Sequence, residues 1–341
     1  MFVPAFVDIH MHGAVGQDVG TTDRNGLHNI ALILAAHGTA GFLPTIPAVS
    51  FDACRKALSV ISGVIEEQRS YSDLLANIPE GNTQILPEAL VLGAHLEGPF
   101  MMPACKGALD ESVFVDATVE NWQKLTGEYE KYVKRVTLDP LRPGALELIP
   151  YLVSKGISVT CGHTAADADT VAKAFEAGAT SVTHIFNAMP SLHHRAPGPI
   201  GAALSDDNTY AELICDFLHV DKRVCKMVIK CKSPDYVAVI TDSCEAAGMP
   251  DGKYQLSGRD IQVVNGEARL EDGRLASSTV FMDRERLNLI SLGFSESDIT
   301  KLTHNTPLEA IRVDADTQTL FSRMFARIGS EGLAKGTYYI A

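Results

Sequence analysis

Six side chains in this sequence have the types and spacing to hold a divalent metal ion and to move a proton beside it. His10 and His12 form a His-x-His pair in FVDIHMH, and Glu97 lies in LVLGAHLEGPF. His163 ends SVTCGH, His184 lies in SVTHIF, and Asp242 ends YVAVITD. The alternation of a strand puts His10 and His12 on one face. Imidazole and carboxylate suit Zn²⁺ first, and Fe, Mn, Co or Ni ions as well, and an incomplete protein shell leaves a position for water. An ion held there would lower the pKa of that water and polarise a carbonyl. Asp242, a carboxylate just outside the five ligands, is placed to take the water's proton and return it to a leaving amine.

Singly, each residue has a plainer reading. A strand-end histidine can be a hydrogen-bonded structural residue, Glu97-Gly98-Pro99 a turn, and Asp242-Ser243 a helix N-cap. The joint placement is what points to a site, because every one falls at the same end of its strand. Downstream of His184, the stretch VTHIFNAMPSLHHRAPGPIG (182–201) brings up Asn187, Ala188 and Arg195 in a donor-rich loop suited to an anion.

The elements that would carry these groups alternate. Strands are expected at 6–12, 40–45, 90–100, 133–138, 158–163, 181–186, 210–217 and 236–242. Helices are expected at 25–38, 51–68, 117–132, 144–156, 166–179 and 221–231, with a polar connection over 70–90. Strands apolar on both faces, alternating with helices at this length, predict a (β/α)8 TIM barrel whose functional groups sit at the C-terminal strand ends. The stretch 253–275 has three short alternating runs separated by turn dipeptides and reads as a β-hairpin excursion. Beyond 279, two or three helices and a short tail follow, the tail's last residues able to pair as a lone strand.

These residues resemble the N-acetylglucosamine-6-phosphate deacetylases of the amidohydrolase superfamily. The resemblance is carried by VPAFVDIHMHG (3–13), GTAGFLPT (38–45), HLEGPF (95–100) with KGA (106–108), GHT (162–164) and THIFNAMPSLHHRAPGPIGAAL (183–204). It continues through DFLHVD (216–221), VITDS (239–243), DGRLASST (272–279) and HNTP (304–307). It implies hydrolysis of the acetamido group of an N-acetylamino sugar 6-phosphate. The implied metal ligands are Glu97, His163 and His184, with His10 and His12 matching a pair that supports a second ion in some members. Asp242 matches the acid/base, and Ala108, Asn187, Ala188, Leu275, Ala276 and Ser277 match sugar contacts. Arg195 matches the phosphate clamp, a role that suits a bidentate guanidinium. His219 matches a residue that reaches a neighbouring subunit's substrate, which implies a homodimer.

The resemblance has gaps. The family's small β-sandwich, built from chain before the first barrel strand and after the last helices, is expected to be reduced or missing, leaving 1–341 as a single barrel domain. Leu109 stands where the family has a histidine, Phe217 and Ser277 replace glycines, and HNTP departs from the usual Asn-Pro-Ala. Other amidohydrolase reactions on the same barrel, such as cleavage of a cyclic amide or an N-acyl amino acid, and a non-catalytic sugar-phosphate-binding relative remain as alternatives.

Bulk properties narrow the partners. A formal net charge of −13 argues against nucleic acid or an anionic membrane surface as a partner, since those need a basic face. The hydrophobic fraction of 46% is that of an ordinary globular protein, and no apolar run has transmembrane length. Seven dispersed cysteines without a CxxC pair suggest free thiols in a reducing cytoplasm.

Overall fold

In the computed structural model, residues 1–76, 84–85, 88–256, 258–335 and 339–340 are described. Eight parallel strands form the barrel: β1 (Phe6–Met11), β2 (Thr39–Pro47), β3 (Ala94–Glu97), β4 (Val133–Leu138), β5 (Ser158–Cys161), β6 (Ser181–Val182), β7 (Tyr210–Ile214) and β8 (Val237–Ile240). They pair in sequence order from β1 to β8. The last seam is closed by the Asp242 amide donating to His10 O at 2.9 Å and by Thr241 Oγ1 donating to Asp8 Oδ2 at 2.5 Å. The expected barrel is therefore present. Helices α1 (Arg24–Ala36), α2 (Phe51–Ala76), α3 (Val119–Thr126), α4 (Ala145–Ser154), α5 (Ala168–Ala177), α6 (Gly198–Ser205), α7 (Lys222–Lys232) and α8 (Met282–Ser291) accompany it.

The strands are buried on both faces for different reasons. Residues such as Val7, Ile9 and Phe42 belong to the apolar core. Inside the barrel lies a polar layer: His95 Nε2 is 2.7 Å from Thr137 Oγ1, which is 3.0 Å from Thr183 Oγ1. Each buried polar atom there needs a partner, and the threonines supply them to one another. Gly162 admits this layer, since a Cβ at that position would meet Thr137 Cγ2 at 2.7 Å and Thr183 Cβ at 2.8 Å.

Several element ends differ from the sequence expectation. The run at 90–100 splits into Leu90–Val91 and Ala94–Glu97 at Gly93, whose φ of 142° breaks the ladder. The helix expected over 117–132 ends as an α-helix at Thr126, where Gly127 turns left-handed, and continues as a 3₁₀ helix over Gly127–Tyr132. α2 extends to Ala76, so the polar connection starts later than expected, and residues 77–83 and 86–87 of it lie outside the described residues. The excursion is a three-stranded antiparallel meander (Gly252–Leu256, Arg259–Val264, Glu267–Arg269). Both chain ends meet in a four-stranded antiparallel sheet, in the order Phe2–Pro4, Met324–Arg327, Tyr339–Ile340, Gln84–Ile85. The tail thus pairs within a sheet rather than alone. Among the described residues no helix is long and apolar enough to cross a membrane.

Phe321 shows how the C-terminal helices lock onto the barrel. It is fully buried, and its ring fills the space over Gly41 of β2, where a Cβ would lie 2.5 Å from it. Phe321→Ala is expected to destabilise the fold by about 3–5 kcal/mol. A lower denaturant midpoint at unchanged m-value is the readout.

Candidate active site

Backbone conformation explains how the strands present their functional groups. His163, His184, Ala188 and Asp242 have φ values of 49°, 29°, 50° and 49°. The left-handed region costs a non-glycine residue roughly 1–2 kcal/mol. Such strain persists where surrounding structure enforces it, and it concentrates at functional sites. It also explains why SVTHIF does not continue as a strand. β6 ends at Val182, two residues short of the bend that aims His184 across the barrel mouth. β5 and β8 likewise stop two residues before His163 and Asp242.

The side chains then converge. Glu97 Oε1 lies 3.1 Å from Nε2 of both His163 and His184, whose Nε2 atoms are 3.1 Å apart. Asp242 Oδ1 is 3.2 Å from His12 Nε2 and 3.5 Å from His10 Nε2, and those two nitrogens are 3.4 Å apart. Glu97 joins the two triads, with Oε1 3.4 Å from His10 Nε2 and Oε2 3.4 Å from His12 Nε2. Asp242 is therefore at ligand distance, closer to the histidines than the sequence suggested. Its N-cap reading finds no support, since residues 243–251 form a bridge and turns.

These atoms fit a metal. Ligands about 2.1 Å from a tetrahedral ion lie about 3.4 Å from each other, close to the spacings seen here. His12 and His163 donate Nδ1–H to the carbonyls of Thr45 at 3.1 Å and Cys105 at 3.0 Å. Carbonyls only accept, so the ring protons are fixed at Nδ1 and each Nε2 lone pair faces a carboxylate oxygen, Asp242 Oδ1 for His12 and Glu97 Oε1 for His163. Facing lone pairs repel unless a cation sits between them. The charge balance agrees. Burial opposes ionisation of Glu97, yet His163 and His10 hold its carboxyl well below the usual range. Burial likewise opposes charge on His10, but Glu97 and Asp242 raise it well above an ordinary imidazole. Two buried carboxylates demand positive charge, which a divalent ion would supply.

A cavity of about 390 Å³ opens above these groups. It is lined by His12, Glu97, His163, His184 and Asp242, by the expected sugar contacts Ala108, Asn187, Ala188, Leu275, Ala276 and Ser277, and by His219. His10 is the buried member beneath the cavity floor. Arg195 is not brought into the cavity wall. Its loop is exposed, and its Nη1 lies 2.7 Å from His194 Nε2. His219, matched by resemblance to a residue serving a neighbouring subunit, lines its own chain's cavity, with Nδ1 donating to Asp216 Oδ2 at 2.7 Å.

Arg259 and Arg274 line the cavity and were not anticipated. Both reach from the excursion to the loop after Glu97, Arg259 donating to Ala108 O at 2.7 Å and Arg274 to Gly107 O at 2.9 Å. The three alternating runs announced a β-hairpin excursion but not the wall it would face.

The departures also acquire a geometry. Phe217 and Ser277 have φ values of 67° and 116°, conformations that glycine adopts freely. Ser277 offsets its strain by donating Oγ to Asp242 O at 2.7 Å, which helps hold the acid in place. Leu109 packs with Ala48 and Met101 to make an apolar wall at the position where the resembled family has a histidine.

A parallel barrel with two joined imidazole–carboxylate triads at its mouth defines a metal-dependent amidohydrolase. No family model matches the sequence. The chain is 34% identical over 313 residues to an N-acetylgalactosamine-6-phosphate deacetylase from Escherichia coli O157:H7, covering 92% of this chain and 76% of that protein. It is 35% identical over 290 residues to the N-acetylglucosamine-6-phosphate deacetylase of Lysinibacillus sphaericus, covering 84% and 70%. The chain belongs to the N-acetylglucosamine-6-phosphate deacetylase family. The structure of that enzyme from Thermotoga maritima superposes with a TM-score of 0.85 at 28% identity, covering 98% of this chain and 85% of that one. A mutant enzyme from Mycobacterium smegmatis in complex with N-acetyl-D-glucosamine-6-phosphate gives 0.81 at 26% identity, covering 99% and 86%.

Proposed function

We propose that this chain hydrolyses the acetamido group of an N-acetylamino sugar 6-phosphate, N-acetylglucosamine 6-phosphate first, to acetate and the free amine. The observation that carries the reading is the pair of triads joined by Glu97 beneath a sugar-sized cavity. Glu97, His163 and His184 would hold one divalent ion, and His10, His12 and Asp242 a second, zinc or another first-row metal. Bound there, the metal polarises the acetamido carbonyl and makes a water more acidic. Asp242 accepts the proton of the attacking water and delivers it to the amine nitrogen as the C–N bond breaks. The apolar wall of Leu109, Met189 and Ala276 keeps bulk water from the acetyl end.

Arg195 is assigned to the phosphate by resemblance alone, whereas Arg259, Arg274 and His219 line the cavity itself. His219 lines its own chain's cavity, while its reach to a neighbouring subunit's substrate, and the homodimer which that implies, rest on the resemblance. Burial pushes the thiols of Cys54, Cys161 and Cys244 up to about 12, which supports inert cysteines, and the cytoplasmic setting rests on the dispersed cysteine pattern alone.

The test is acetate release from N-acetylglucosamine and N-acetylgalactosamine, each with and without a 6-phosphate, using metal-analysed protein. Acetate equimolar with amine is expected from the phosphorylated sugars. Binding without release would make the chain a non-catalytic relative. Arg195→Ala is expected to raise KM for phosphorylated sugars about tenfold or more, the scale of one charge-assisted bond. An unmoved KM gives the phosphate to Arg259 and Arg274.

A further inference from the structure

Glu212 on β7 and Arg135 on β4 form a charged pair in the barrel core, where stability does not require one. Both are fully buried, and Arg135 Nη2 lies 2.5 Å from Glu212 Oε1. Removing two charges from water costs several kcal/mol per ion, and well-packed apolar residues often serve a core as well or better. The guanidinium is anchored on its other side, Nη1 donating to Ser158 Oγ at 2.9 Å and to Ala310 O at 3.2 Å. With Oε1 committed to Arg135, Oε2 faces the site. It accepts from His10 Nδ1 at 3.1 Å and, weakly, from the His184 amide at 3.4 Å.

The four imidazoles of the site differ in what stands behind them. His12 and His163 rest on neutral carbonyls, and His184 Nδ1 has no hydrogen-bond partner among the described residues. His10 is the one backed by a carboxylate. A carboxylate behind a ligating imidazole fixes the tautomer, orients the ring and strengthens the donor. We propose that Glu212, held by Arg135, is the positioning residue that commits His10 to an ion in the His10–His12–Asp242 triad. The chain would then hold two ions, one in each of the triads that Glu97 touches. Loss of the pair leaves one ion, at Glu97, His163 and His184. This rests on the metal-dependent reading of the site.

The experiment counts ions per chain by mass spectrometry in metal-loaded protein equilibrated against buffered Zn²⁺, and follows Co²⁺ titration by absorption. Arg135→Met combined with Glu212→Leu removes both charges together and leaves none unpaired. Wild type is expected to bind two ions. The double variant is expected to bind one tightly, with the second weakened about tenfold or more. Glu212→Gln, which keeps volume and an acceptor for His10, is the second variant should the first not fold, and it is expected to weaken the same ion. Two ions at wild-type affinity in these variants would show the pair to be merely structural. Loss of both ions would assign Glu212 to the whole site through His184. One ion in wild type also overturns the proposal, while none overturns the metal-dependent reading beneath it.

Discussion

Asp242→Asn is expected to lower kcat for acetamide hydrolysis by about a thousandfold, within the range of a lost general acid/base. Asparagine preserves the shape and the main-chain bonds that hold this residue, from its amide to His10 O and from Ser277 Oγ and the Ser278 amide to its carbonyl. The left-handed backbone at φ 49° is also well tolerated by asparagine. The cavity should therefore survive, with KM changed little. What is lost is the group that carries the proton from water to amine. Asp242 also sits with His10 and His12, so its charge contributes to that triad. The ion at Glu97, His163 and His184 should remain. Acetate assays paired with metal analysis separate the roles. A large loss of kcat with that ion retained supports proton transfer. Activity within tenfold of wild type would reduce Asp242 to a supporting ligand.

Much of this site was legible because chemistry and topology coincide. His10, Glu97 and Asp242 could be read together once alternating strands and helices implied a parallel barrel, which gathers strand ends at one mouth. The positions of Leu275, Ala276 and Ser277 came through resemblance, and the cavity places them together. Other features depend on long-range geometry. Arg259 lies in the meander and Arg274 just beyond its last strand, and the sequence says that the meander pairs with itself, not which loop it will face. Glu212 lies in an apolar run, YAELICDF, where one carboxylate reads as an interruption until Arg135 and His10 are seen beside it. The ends of β5, β6 and β8 were overextended because β-branched runs predict strand, whereas the site requires left-handed residues just beyond Cys161, Val182 and Ile240.

Strain and function are linked at these bends. A regular strand would send alternate side chains to opposite faces, so only every second residue could reach the mouth. Turning left-handed at His163, His184 and Asp242 lets three strands aim their terminal groups at one point. The Phe217 and Ser277 departures fall in equally unusual conformations, so this chain tolerates strain on the sugar side where a glycine would carry none. Leu109 makes the same wall more apolar. Of these changes only Ser277 touches the acid/base, through its Oγ bond to Asp242 O, while Leu109 and Phe217 shape the substrate side.

Glu97→Gln is expected to have the largest effect of any single isosteric change. No other side chain in the site touches both triads so fully. Oε1 meets His163, His184 and His10, and Oε2 meets His12, all within 3.4 Å. A neutral amide presents one oxygen and one donor in place of two anionic oxygens, so it can serve one triad at most. Its NH₂ would also point at a histidine lone pair or at the ion itself. Metal content should fall to substoichiometric levels, and kcat by roughly 10³-fold or more, since the lost Lewis acid is worth several kcal/mol. Stability gives an assay independent of turnover. Ligand that binds only the folded state raises stability by about 2.7 kcal/mol at a hundred times Kd. Wild-type protein should thus show a rise in Tm on adding Zn²⁺, and the variant little or none. The contrast with Asp242→Asn is decisive: one variant keeps an ion and loses proton transfer, the other loses the ions. If Glu97→Gln bound metal as wild type does, Glu97 would not be the shared ligand, and the two triads would have to act as separate sites.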